Sequence, residues 1–130
     1  MNDFQPGDVV LANIKNPIED STCQGKPRPV VLITQDGAKH WLVAGLTSKS
    51  HYKSTGRARV RIFASHRNGL HGHGYLWSPK FTKIPRHDIK EFKGVIDEHL
   101  AEAICNNTNI STAQATQLRA AALNNWPHAA

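Results

Sequence analysis

Arg28 stands between Pro27 and Pro29, directly ahead of the apolar run Val30-Val31-Leu32-Ile33. Each proline fixes its own φ near about −65° and holds the residue before it extended, so the guanidinium is mounted rigidly at the mouth of a strand. Its planar fork of donors fits a phosphate and stabilises charge growing on it during phosphoryl transfer. A second apolar run, His40 to Leu46, ends in Thr47-Ser48, whose hydroxyls could bond the same phosphate or orient an attacking group. His73 adds an imidazole, which titrates near neutrality and suits a general base. Glu19 and Asp20, in an earlier loop, are the alternative proton acceptors. His71 and His73 could face one way on a strand as a metal pair, but no carboxylate or cysteine stands near them to complete a site. No metal ligand and no cofactor is assigned.

Around these groups the chain is basic. Lys26, Ser48, Lys49, Lys53, Arg57, Arg59 and Lys80 are candidates for contacts to a phosphate backbone, and Trp77 and Tyr52 for stacking on splayed bases. The formal net charge is +6 with eight histidines uncounted, and a balance of that kind favours meeting polyanions. Each feature also has a plainer reading. Arg57, Arg59 and Arg61 alternate with Ala58, Val60 and Ile62 and could be the solvated face of a half-buried strand. Trp77 could be core or dimer packing.

The elements that must position these groups are short. Pro6-Gly7-Asp8 turns the chain into a first strand, Val9 to Ile14. A polar loop from Lys15 to Lys26 leads to the strand that carries Arg28. Asp36-Gly37 predicts a hairpin to the strand ending at Thr47, which would set Arg28 beside Thr47. A long basic loop and the arginine-rich strand follow. Ser65 to Gly74, with three glycines and three histidines, reads as a flexible loop. Short strands are expected at Tyr75 to Ser78 and Phe81 to Ile84, broken at Pro79, and a last one at Val95-Ile96. Asp97 can cap a helix running to Asn106-Asn107. Ser111 to Gln114 has a capping-box pattern opening a second helix, Thr112 to Leu123. Six or so strands followed by helices predict a small, strongly bent sheet or barrel finished by helical packing.

One hundred and thirty residues suit a single domain with one real core, at 39% hydrophobic and 20% charged. Cys23 and Cys105 match no metal spacing and fit free thiols in a reducing compartment. The N-terminus shows no export signal and no apolar run is long enough to span a membrane, so a cytoplasmic location is expected.

Gly7-Asp8-Val9-Val10, then Gly25-Lys26-Pro27-Arg28-Pro29-Val30-Val31-Leu32, then Leu46-Thr47-Ser48-Lys49, taken in that order, resemble the PemK/MazF family of toxin–antitoxin endoribonucleases. The likeness covers roughly residues 6–105, leaving 111–124 as an added helix. It implies a mainly β fold with C-terminal helices, a small SH3-like barrel of the CcdB/MazF/PemK kind, and a homodimer. It implies metal-independent cutting of single-stranded RNA (mRNA) by attack of a 2′-hydroxyl, and a small acidic antitoxin as partner. Arg28 and Thr47 match the family's site positions. Many members carry an acidic residue followed by Gln ahead of the position of Ile84. Here Leu76-Trp77-Ser78-Pro79-Lys80-Phe81 holds no carboxylate, which makes His73 the substitute base. The same lack leaves open a non-cutting protein on this fold, either a gyrase-inhibitor-like, DNA-associated toxin or an RNA-binding module.

Overall fold

A computed structural model of the chain describes residues 4–14 and 27–124. Lys26, Glu19, Asp20 and Cys23 lie outside the described residues. The elements run β1 (Asp8–Asn13), β2 (Pro27–Asp36), β3 (His40–Thr47), β4 (Arg61–Ile62), β5 (Gly74–Leu76), β6 (Thr82–Pro85), a 3-10 turn (Arg86–Asp88), β7 (Ile89–Val95), α1 (Glu98–Asn107) and α2 (Thr112–Leu123). The class is α+β, a mainly antiparallel sheet with two C-terminal helices.

The strands line up as β4-β5-β3-β2-β1-β7, with β6 added on β3. The Asp36-Gly37 turn pairs β2 with β3 as the dipeptide predicts, Gly37 taking φ 76° in the turn. Strand β3 serves two neighbours on its other edge: β6 along His40–Val43, then β5 at Leu46–Thr47. The change of partner falls at Gly45, where a Cβ would come 2.1 Å from the Trp77 ring. Trp77 donates its backbone N–H to the Gly45 carbonyl at 2.9 Å and is 7% exposed. Burial at Gly45 therefore replaces the expected base-stacking role with a packing one.

Both sheet faces are covered. Val9, Val31, Ala44, Leu46 and Ile62 meet Leu100, Ile104 and Leu118 from the helices. Val10, Val30, Leu32, Trp41, Trp77 and Ile84 fill the other face. Uninterrupted apolar runs in β2 and β3 follow from this two-sided burial. Asp97 Oδ1 caps α1 by accepting from Leu100 N–H at 2.9 Å. Ser111 and Gln114 form a full capping box at α2. Leu118 and Ala122 bury α2 in the core against α1.

Three expectations are corrected. The alternating strand Arg57 to Phe63 is cut down to Arg61–Ile62, and Ala58 is exposed where alternation would bury it. Arg59 points inward and is 6% exposed. Second, Ser65 to Gly74 is not a loose loop. Asn68 is fully buried, its amide donating to Phe63 C=O and Asp97 Oδ2, both at 3.0 Å. Its Oδ1 accepts from Ser65 and Leu70 N–H, each at 3.0 Å, so every hydrogen-bonding edge of the side chain is used. Third, the last strand starts at Ile89 rather than Val95 and pairs with β1 through two register shifts.

No pairing joins β4 to β7 among the described residues. The chain between them bridges the gap instead. Arg67 C=O accepts from Val95 N–H at 2.9 Å, and Arg67 reaches the Ile96 and Ala121 carbonyls with Nε and Nη2. Gly69, at φ 69°, lies where a Cβ would be 2.1 Å from the Lys93 carbonyl. Only glycine allows that approach.

Candidate active site

Arg28, Thr47, Ser48 and His73 line one cleft of about 430 Å³, together with His71 and Lys93. Leu11, Pro29, Leu46, Ile62 and Leu70 complete it with apolar walls. Neighbours such as Leu46 and Thr47 point to opposite sheet faces, yet both line the cleft. It therefore sits at the strand ends, where both faces open onto it.

The hairpin delivers the first two groups. Val30 pairs with Gly45, and the register extended by two residues sets Arg28 opposite Thr47. On its other side Arg28 pairs with Ala12 of β1, so the arginine is fixed by that strand as well as by two prolines. Thr47 is 8% exposed, and its hydroxyl oxygen accepts from Lys49 N–H at 3.2 Å. The hydroxyl keeps its own proton to donate.

The two histidines arrive on the Asn68-anchored turn. Ala64 N–H donates to His73 Nδ1 at 3.1 Å, so the neutral ring carries its proton on Nε2. Lys93 Nζ lies 3.3 Å from His71 Nε2; an ammonium can only donate, so His71 accepts there. The same ammonium is 3.4 Å from Glu91 Oε2, and the Lys93 side chain is only 15% exposed. Both imidazoles thus have one nitrogen engaged as an acceptor and, when neutral, carry N–H on the other. This corrects the expectation of His73 as a ready base, because its Nδ1 lone pair already holds a backbone amide.

No carboxylate lines the cleft among the described residues. Nor does any group of three or more His, Cys, Asp or Glu stand ready for a metal ion among them. The cleft offers a guanidinium, an ammonium, hydroxyls and imidazole N–H groups. Those are the groups that hold an anion.

The basic residues divide. Ser48, Lys49, Lys53, Arg57 and Lys80 are exposed. Arg59 is not: Nε donates to Trp77 C=O at 2.9 Å, and Nη1 to Lys49 C=O at 3.1 Å and His51 C=O at 2.9 Å. Its Cζ also lies 4.4 Å from the Tyr52 ring centroid. A buried cation bonded to three carbonyls clamps the basic loop, which replaces the expected place of Arg59 on the outer face. Sequence reasoning missed this clamp, the Lys93–His71 pair and the Asn68 anchor. Only the Asn68-Gly69 dipeptide, a turn signal, gave notice of the last.

Fold and site together define a small antiparallel-β protein with a donor-lined cleft at its strand ends. The chain belongs to the PemK-like, MazF-like toxins of type II toxin–antitoxin systems, whose family profile matches residues 5–112. No curated protein matches it. Among the described residues no helix is long and apolar enough to cross a membrane.

Proposed function

We propose that this toxin is an endoribonuclease that cuts single-stranded RNA in the Arg28–Thr47 cleft, without a metal ion. The observation that carries the reading is the convergence of Arg28, Thr47, Ser48 and His73 on one cleft. Arg28 holds the non-bridging oxygens of the scissile phosphate and stabilises the charge that grows on them. The Thr47 hydroxyl donates to the same phosphate. The 2′-hydroxyl gives up its proton to water as its oxygen bonds to phosphorus, and the bond to the 5′-oxygen breaks. That oxygen takes a proton from water and leaves as a hydroxyl, and the other fragment ends in a 2′,3′-cyclic phosphate. His73 Nε2–H donates toward that leaving oxygen. Family membership implies an antitoxin as partner; an acidic one set against the basic surface suits the +6 charge. The working form is a homodimer.

The proton acceptor is not among the described cleft residues. Glu19 and Asp20, in the segment between β1 and β2, are the last carboxylates before Arg28 in the sequence. This lack favours one second reading, a protein that binds through the cleft without cutting. An RNA cleavage assay in EDTA decides between them. Cutting that persists in EDTA and disappears in Arg28→Ala supports the ribonuclease. Growth arrest with intact RNA supports binding alone, and stalled gyrase in the same cells would identify the DNA-associated form.

A further inference from the structure

We infer that Phe63, with Arg61 and Tyr75 beside it, is a stacking platform for an unpaired nucleobase of the RNA whose phosphate lies at Arg28 and Thr47. The inference rests on the reading of the cleft as a phosphodiester site and adds where the neighbouring base goes.

Strand register carries it. Tyr75 pairs with Thr47 on one side and with Arg61 on the other. Paired residues in antiparallel strands share a face, so Thr47, Tyr75 and Arg61 form a row across three strands. Strands lie about 4.8 Å apart, which makes the row from Thr47 to Arg61 roughly 10 Å long. Phe63, one residue past the end of β4, lies with its ring beside the Arg61 guanidinium and so extends the row along the chain. The platform therefore begins where the cleft ends, and His73 belongs to both.

Phe63 is 45% exposed, unusual for so large an apolar group, yet it is held in place. Its backbone N–H donates to His99 Nε2 at 3.3 Å, and the next amide is the one bonded to His73 Nδ1. The His73 ring meets Phe63 edge-on at 5.2 Å and the His99 ring lies 5.0 Å away. The Arg61 Cζ is 5.3 Å from the Phe63 ring and 5.9 Å from that of Tyr75. Unpaired bases stack on aromatic rings and on guanidinium planes, and the sugar–phosphate chain beside them matches Arg61. A two-fold contact through this patch would set the exposed Arg61 against its own copy, so the local charge argues against a second copy as occupant here.

The test uses a 2′-O-methyl RNA of mixed sequence, which cannot be cut by 2′-attack, titrated by anisotropy at several salt concentrations. Phe63→Ala should bind about tenfold or more weakly, with Phe63→Tyr close to the parent. The salt dependence of Phe63→Ala should stay unchanged, since no phosphate contact is removed. A 4-thiouridine in the same RNA should cross-link to the peptide containing Phe63 or Tyr75. If Phe63→Ala binds like the parent while Arg28→Ala is weakened, the platform is wrong and the cleft reading stands. If the parent does not bind the RNA, both fail. If Phe63→Ala turns a dimer into a monomer, a second copy covers the ring and the inference is overturned. Thermal unfolding of each variant, with Phe63→Tyr as the conservative control, separates lost stacking from lost folding.

Discussion

The Ala64 amide N–H and the His73 ring are 3.1 Å apart, with Nδ1 as acceptor. One backbone bond thus fixes the tautomer of the imidazole in the cleft. In the neutral ring Nε2 carries the proton and is the nitrogen that can give a hydrogen bond. His73→Ala should lower cleavage by about a hundredfold or more. Nitrogen-15 NMR of the neutral ring should place the proton on Nε2. A proton found on Nδ1 would restore the role of base.

Arg28 is mounted on paired strands and flanked by prolines, so its side chain can be removed without undoing either strand. Arg28→Ala should reduce the cleavage rate by about 10²–10³, the range for losing one donor to a developing oxyanion. Its melting temperature should stay within a few degrees of the parent. A variant that melts far earlier would make Arg28 a structural residue.

Binding to single-stranded RNA should weaken with salt, with a slope of about −0.7 per phosphate contact. Lys49, Lys53 and Arg57 are exposed and should each contribute. Neutralising two of them should flatten the slope by roughly one unit or more. Arg59→Ala should act differently, because three carbonyls lose their donor. It should cost roughly 2–4 kcal/mol of stability, read by denaturant unfolding, since the bonds lost are buried or part-buried. A full-strength Arg59→Ala fold with a flattened slope would return that residue to the RNA.

Asp8, at the start of β1, has its carboxyl pushed above the usual value of 3.8 by burial, partly opposed by the bond its Oδ2 accepts from Gln5 N–H at 2.9 Å. A raised acid holds its proton more tightly folded than unfolded. Stability should therefore fall as pH rises from about 3.8 through the folded value, then stay lowered. Asp8→Asn, which keeps an acceptor for Gln5, should lose that decline and melt no lower than the parent at neutral pH. Melting curves across the acid range provide the check.

What the sequence determined by itself was local and sequential. The prolines around Arg28, the Asp36-Gly37 turn, the apolar runs of β2 and β3 and the caps at Asp97 and Ser111 all act within a few residues. Their consequences, paired strands and two helices, were legible for that reason. The motifs at Gly7, Arg28 and Thr47 also carried the family. The tertiary structure decided what depends on contacts far apart in the chain. Alternation placed Arg59 outside, but carbonyls at 49, 51 and 77 converge on one point and draw its guanidinium in. Glycine and histidine content made Ser65 to Gly74 look loose, but Asp97, 29 residues beyond Asn68, supplies the acceptor that anchors it. Trp77 looked free to stack until Gly45 gave its ring a seat. Strand β7 carries polar and charged residues at Lys90, Glu91 and Lys93 and exposes Phe92, so it showed no apolar period to read. Its place at the sheet edge comes from the hydrogen bonds β1 offers, and a backbone ladder leaves no mark in side-chain pattern.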